Sequence, residues 1–256
     1  MFHVAGQKRR FIHDLKLASI LSATAGSVNV ASFFAFEVLT TNVTGHVATL
    51  ASEIVAHRWS AASVKLLWMV MFFLGAFCSG LLIEFVGRRN SRFSHTIPLI
   101  LEIIIISFVA YHGNKYYDYS QELVQLLAGS LLFAMGLQNA MVTMVSGSVV
   151  RTTHLTGLFT DLGIEGAKII ARYKNTIDRE KMFNKFTLHA IIVIFFLLGG
   201  ILGGFLYANY LFKAFLFPLG LLFTAMIYDI GYNRVYLLRR AKNIRKIRLA
   251  KVKVVI

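Results

Sequence analysis

Acidic residues, prolines and cysteines are all scarce in this chain, and each scarcity excludes something. The 12 Asp and Glu stand against 27 Lys and Arg, a formal net charge of +15. Two prolines and 15% charged residues leave little to interrupt the apolar text of 256 residues. The single cysteine, Cys78, lies inside an apolar segment, so no intramolecular disulfide and no cysteine metal cluster can form. Catalytic signatures are missing too. There is no Ser-His dyad, no His-x-x-Glu-His zinc motif, no Walker motif and no Gly-rich nucleotide fingerprint. An enzyme is therefore the last of the function classes, and no cofactor or metal is expected. Without a Walker motif, this chain alone cannot pump with ATP.

What is present is hydrophobic: 57% of the residues, with a mean hydropathy of +0.65. A soluble domain of this length shows far more polar text. A hydrocarbon span needs about 20 predominantly apolar residues. Eight apolar stretches meet or approach that length. The first four run roughly from Leu15 to Leu39, Thr41 to Ala56, Val64 to Val86 and Thr96 to Tyr111. The others run from Leu123 to Val150, Thr152 to Ala171, Phe186 to Asn209 and Ala214 to Tyr228. Length and apolar bias favour helices, and the lack of evenly alternating short segments argues against a membrane barrel. The expected fold is an all-α polytopic membrane protein, a single membrane domain over residues 1–256.

The basic excess does not point to nucleic acid, because the cations flank apolar segments instead of forming a folded patch with aromatics. After Asp229 the chain carries Arg234, Arg239, Arg240, Lys242, Arg245, Lys246, Arg248, Lys251 and Lys253, with no acid. Lys and Arg in short loops mark the cytoplasmic side. Residues 230–256 are read as a basic C-terminal tail that anchors topology. The tail also attracts anionic lipids, at about 1 kcal/mol per charge near the surface. At the other end Lys8, Arg9 and Arg10 precede a long apolar run with no clear small-residue cleavage site, which reads as a retained first span. Both termini are expected in the cytoplasm, and the protein in the inner membrane.

The chain repeats itself. Thr40-Thr41-Asn42-Val43-Thr44-Gly45 recurs as Thr152-Thr153-His154-Leu155-Thr156-Gly157. Glu53 and Glu165 follow the two glycines at the same spacing. Upstream, Gly26-Ser27-Val28-Asn29 matches Gly136-Leu137-Gln138-Asn139. Downstream, Leu74-Gly75 with Gly80 matches Leu198-Gly199 with Gly204, and Pro98 and Pro218 open the last segment of each half. The repeats cover 15–112 and 123–229, joined by the Tyr-rich polar linker Gly113–Glu122. The clearest basic loops are Gly87–His95, Arg172–Lys185 and the two termini. Putting them inside forces an odd number of crossings per half. The expected plan is two inverted repeats, six full spans plus two short or re-entrant helices. Eight full spans in parallel repeats is the alternative, which puts Gly87–His95 outside.

These markers resemble the YoaK family of bacterial membrane proteins, a family of unknown function. The best matching stretch is Met135-Gly136-Leu137-Gln138-Asn139-Ala140, followed by Arg151-Thr152-Thr153-His154-Leu155-Thr156-Gly157 and Asp161-Leu162-Gly163. The resemblance covers most of the chain. The sequence departs from it where His46 follows Thr44-Gly45, in place of the family's asparagine. The resemblance implies a six-span membrane protein with transport as the expected class of activity. It brings no established substrate or catalytic residue.

Each Thr-Thr-x-x-Thr-Gly element sits where one apolar stretch ends and another begins. A threonine hydroxyl satisfies orphan N–H groups at a helix start, and a helix starting at membrane depth carries a partial positive charge there. Two such ends facing one cavity can hold an anionic group. The alternative is that threonine and glycine only permit close helix packing. The candidate substrate-binding residues are Asn29, Thr41, Thr44, Gln138, Asn139, Thr153 and Thr156. The amides also suit a simpler role as hydrogen-bonding glue between helices. Gly45, Thr49 and Glu53 form one helix stripe, and Gly157, Asp161 and Glu165 the equivalent one. A carboxylate in a bilayer costs several kcal/mol unless it finds water, a partner or a proton. Glu53, Asp161 and Glu165 are therefore the candidates for proton or cation coupling. The competing reading pairs Glu53 with Arg58, and Glu165 with Lys168, near the interface. Glu102, alone in an Ile-rich stretch, is a secondary candidate for the pathway.

The leading function is secondary transport of a small solute, proton- or cation-coupled. The alternative is a non-transporting membrane module that binds a partner protein or anionic lipid.

Overall fold

Inside a bilayer no water is available to satisfy backbone N–H and C=O groups, so each apolar stretch closes its own hydrogen bonds as a helix. The computed structural model describes residues 11–90, 94–116, 120–146, 150–171 and 176–228. Along them run α1 (Phe11–Phe36), α2 (Val43–Val55), α3 (Trp59–Asn90) and α4 (Thr96–Tyr116). There follow α5 (Gln121–Ser146), α6 (Leu155–Ile170) and α7 (Thr176–Tyr210), then a 3₁₀ turn at Leu211–Phe215. A further helix, α8, occupies residues 216–228. Among the described residues, five stretches are long and apolar enough to cross a membrane: Ala18–Phe36, Trp59–Arg88, Thr96–Lys115, Gln121–Met144 and Met182–Tyr228. The last is 47 residues long and contains the 3₁₀ turn. The protein is an all-α, multi-pass membrane protein.

Several helices outrun the apolar text. α3 starts at Trp59 and reaches Asn90, beyond the expected Val64–Val86, and α7 starts at Thr176 instead of Phe186. Polar residues at the membrane surface continue a helix that hydropathy alone ends. The expected linker Gly113–Glu122 shrinks likewise, because α4 runs on to Tyr116 and α5 begins at Gln121. The basic tail 230–256 and the cationic residues Lys8–Arg10 lie outside the described residues.

The two halves exchange partners. α1 of the first half packs along α7 of the second, and α3 along α5. Glycines set both contacts. A Cβ on Gly26 would collide with the Phe196 carbonyl oxygen, and one on the matched Gly136 with that of Phe72. A Cβ on Gly199 would meet the Ala23 carbonyl oxygen, and one on the matched Gly75 that of Phe133. Backbone lies on backbone at all four places, which only glycine permits. Each of these four contacts has its counterpart in the other half, so the helix pairs are related by the internal symmetry.

α1 and α5 are the most buried spans, whereas α3 is the most exposed. Phe73, Phe77, Leu81 and Phe85 make an exposed stripe along α3, and Leu197, Ile201 and Phe205 a similar one along α7. Residues four apart share a helix face, and these faces suit lipid. Gln138, fully buried on α5, donates from Nε2 to the Leu21 carbonyl of α1 at 2.7 Å. It ties the two central helices together.

Candidate functional site

α2 and α6 lie outside the five described stretches that are long and apolar enough to cross a membrane. At about 1.5 Å per residue, the 13 residues of α2 reach about 20 Å and the 16 of α6 about 24 Å. Neither matches the ~30 Å hydrocarbon core. Each begins after the chain has doubled back on the preceding helix. After α1, Glu37 adopts φ 57° and turns the chain. Ser32 Oγ of α1 then donates to the Val38 carbonyl at 2.9 Å. The Thr41 N–H donates to Asn29 Oδ1 at 3.0 Å, so Thr41 returns to the level of Asn29 inside the bundle. The second half does the same with different atoms. The Val150 N–H donates to Ser146 Oγ at 2.9 Å, and Thr153 Oγ1 donates to Asn139 Oδ1 at 2.8 Å. Matched asparagines on α1 and α5 thus hold matched threonines.

The returns bring the starts of α2 and α6 to one cavity of about 630 Å³. Its walls come in matched pairs: Asn29 with Asn139, Thr41 with Thr153, Asn42 with His154, Val43 with Leu155, Thr44 with Thr156, and Phe72 with Phe196. Leu39 completes the lining. Among the described residues, no acid, lysine or arginine lines it. The positive field there comes from two helix N-termini, each roughly equivalent to +0.5 elementary charge. The two ends are unequal. Asn42 caps α2, its Oδ1 accepting from the Gly45 N–H at 3.0 Å. His154 stands in the same place before α6 and makes no side-chain cap bond.

Of the candidate binding residues, Asn29, Thr41, Thr44, Asn139, Thr153 and Thr156 line this cavity, and Gln138 does not. Phe72 and Phe196 were missed. Each stands three residues before a repeat-matched glycine, Gly75 or Gly199, and that register was the available signal. The carboxylates lie elsewhere. Glu53, near the end of α2, pairs with Arg58 at 2.5 Å. Glu165, far along α6, pairs with His189 Nδ1 of α7 at 3.1 Å, not with Lys168. Both side chains of that pair are about seven-eighths buried, at 12% and 13% exposure. His189 also had a signal, since the register that matches Gly75 with Gly199 matches Lys65 with His189. Each half therefore places a base on the long helix beside the acid-bearing short helix. Asp161 is exposed on α6, outside the cavity lining. Glu102 is fully buried on α4, outside that lining too, with no hydrogen-bond partner for either oxygen among the described residues. His46 is a structural residue: its Nε2–H donates to the Leu39 carbonyl at 2.9 Å and its ring packs edge-on against Trp68. Among the described residues no group of three or more His, Cys, Asp and Glu could hold a metal ion.

Against known families, the model described as a protein of unknown function, DUF1275, matches residues 17–228. No curated protein and no solved structure matches this chain.

Proposed function

The chain belongs to the DUF1275 (YoaK) family, and we propose that it is a secondary transporter whose small polar or anionic solute passes through the cavity between α2 and α6. One observation carries the reading: two short helices point their N-termini into a single cavity walled by repeat-matched pairs. Helix N-termini at membrane depth favour negative charge and repel cations. The threonine hydroxyls and asparagine amides supply hydrogen bonds, and Phe72 and Phe196 supply apolar walls.

The transport plan is six full spans and two re-entrant helices in inverted repeats. Helix directions support it. Gly199 lies on Ala23 and Gly203 on Ser27, so α7 runs with α1. Gly75 lies on Phe133 and Gly80 faces Met144, so α5 runs with α3. Lys16 donates to the Tyr228 hydroxyl at 2.9 Å while Phe36 packs on Phe212, so α8 runs against α1. Gly113 at the end of α4 meets Phe212, at the same level as the end of α1. α4 therefore runs with α1, and α3, joined to it by a short loop, runs against both. In this plan both termini are cytoplasmic and the protein sits in the inner membrane, without enzymatic activity.

The test is flux into proteoliposomes holding the purified chain, with chloride, nitrate, formate, lactate, glycerol and alanine as probes. At least one probe is expected to enter faster than into protein-free vesicles. Thr44→Trp and Thr156→Trp, which fill the cavity from exposed positions, are expected to return that flux to background while the protein stays folded. Background rates for the unmodified protein across the whole panel would leave the module that binds a partner protein or anionic lipid.

Coupling belongs to the same proposal. Glu165 and His189 together hold a proton that moves with the solute, Asp161 lies on the route to it, and Glu53 is the matching group of the first half. Glu165→Gln and His189→Gln are each expected to give a folded protein whose flux no longer depends on pH. The stability cost expected is about 1–2 kcal/mol, because a mostly buried partner is left behind. Unchanged pH dependence in both variants removes the coupling role and leaves the cavity untouched.

A further inference from the structure

A second cavity, of about 590 Å³, opens where α3 and α5 begin. Arg58, Trp59, Lys65 and Trp68 line it from the α2–α3 side, and Gln121 and Gln125 from α5. These are the only two tryptophans in the chain. The Lys65 ammonium sits 4.1 Å from the centre of the Trp68 ring. Trp68 is 5% exposed, and its indole N–H has no hydrogen-bond partner among the described residues. A buried donor left unpaired is costly, and here it belongs to a wall of the cavity. Among the described residues no acid is in the lining, although Glu53, just outside it, pairs with Arg58. The first turns of α3 and α5 add two more partial positive charges.

Duplication does not explain this site. The register that matches Gly75 with Gly199 sets Arg58 against Met182, Trp59 against Phe183, Lys65 against His189 and Trp68 against Ile192. Gln121 and Gln125 fall opposite Phe11 and Leu15. The matched positions are mostly apolar where this site has cations, indoles and amides. Charge placement points the same way. The proposed topology leaves Arg58 and Lys65 on the outer side, against the usual distribution of basic residues. A ligand that needs them there accounts for the exception.

We propose that this cavity binds a phosphate-type anion, in the form of a phospholipid headgroup. Lys65, Arg58, the Trp68 indole N–H and the glutamine amides supply donors and charge. Trp59, 63% exposed at the rim, suits the boundary between headgroups and hydrocarbon. This site lies apart from the cavity between α2 and α6, and its test does not involve flux.

Because both tryptophans line the site, tryptophan emission of the full chain reports on it alone. The chain in nonionic micelles is titrated with short-chain phosphatidylglycerol and, separately, with inorganic phosphate. A saturable emission change with the lipid alone assigns the headgroup; saturation with inorganic phosphate alone assigns a free anion in the same site. In either case Lys65→Gln is expected to bind roughly tenfold more weakly, with Lys65→Arg restoring binding. Arg58→Gln provides a second variant, read against the ligand-free emission as a check of folding. Absence of saturation with both probes, or equal midpoints for the unmodified chain and both glutamine variants, overturns the proposal.

Discussion

Alanine at Gly26 or at Gly136 is expected to destabilise the protein by about 1–3 kcal/mol, the range for overpacking a filled contact. The added Cβ meets a backbone carbonyl oxygen, of Phe196 in one case and of Phe72 in the other. A side chain can rotate away, but a carbonyl within a helix cannot, so the helices must separate. Truncating Phe196 or Phe72 is therefore expected to give no rescue. Gly163 and Gly220 have nothing within 4 Å of an added Cβ. Alanine there is expected to be neutral or slightly stabilising, as Ala is the better helix former by about 1 kcal/mol. Unfolding by sodium dodecyl sulfate in mixed micelles measures all four. The two damaging substitutions should be nearly equal, because the contacts are related by the internal symmetry. Stability of Gly26→Ala matching that of Gly220→Ala would refute the backbone contact between α1 and α7.

The internal repeat was legible because duplication leaves identical residues at matching turns. Thr41 with Thr153 and Asn29 with Asn139 could be matched without any structure, and they lie at the same cavity. Which helices pair was not legible. A soluble helix declares its buried face by a polar one, but a membrane helix is apolar all round. The exchange of α1 with α7 and α3 with α5 rests on glycines that sequence marks as small, without naming their partners. The same limit explains Glu165. Lys168 was visible as a partner because it lies one helical turn away on α6. His189 lies on another helix, and only the matched position of Lys65 hinted at it. Helix ends were misjudged for a different reason, since hydropathy reports where hydrocarbon stops and not where the hydrogen-bond ladder stops.

Symmetry is broken at one matched pair beside the cavity. Residues that hold the chain in place recur in kind, as the four contact glycines do. The cap residues Asn42 and His154 do not recur in kind, although they occupy matched positions at the same cavity. With α2 capped by Asn42 and α6 lacking that side-chain bond, the stronger attraction for a negative group lies at the α6 end. Under the proposed transport function, a solute with one charged and one polar end would lie with its charged end toward Thr156 and its polar end toward Thr44.

The matched threonines provide the sharpest test, because they use different atoms for the same task. Thr153 is held through its hydroxyl, which donates to Asn139 Oδ1 at 2.8 Å. Thr41 is held through its backbone N–H, which donates to Asn29 Oδ1 at 3.0 Å. Thr153→Val therefore removes the tie at the start of α6 and leaves an acceptor unpaired, whereas Thr41→Val keeps the tie at the start of α2. The expected destabilisation is about 1–3 kcal/mol for the first and near zero for the second. Asn139→Leu and Asn29→Leu should both be damaging, since each removes the acceptor itself. Flux should follow, because a helix start displaced by about 1 Å no longer aims its amides at the solute; in enzyme active sites a misplacement of that size costs on the order of 10²-fold. Unfolding in mixed micelles and flux of whichever probe the unmodified protein carries are measured on the same preparations. Equal behaviour of the two valine variants would show that the hydroxyl of Thr153 does not hold α6 at the cavity, and the two short helices would then need another anchor.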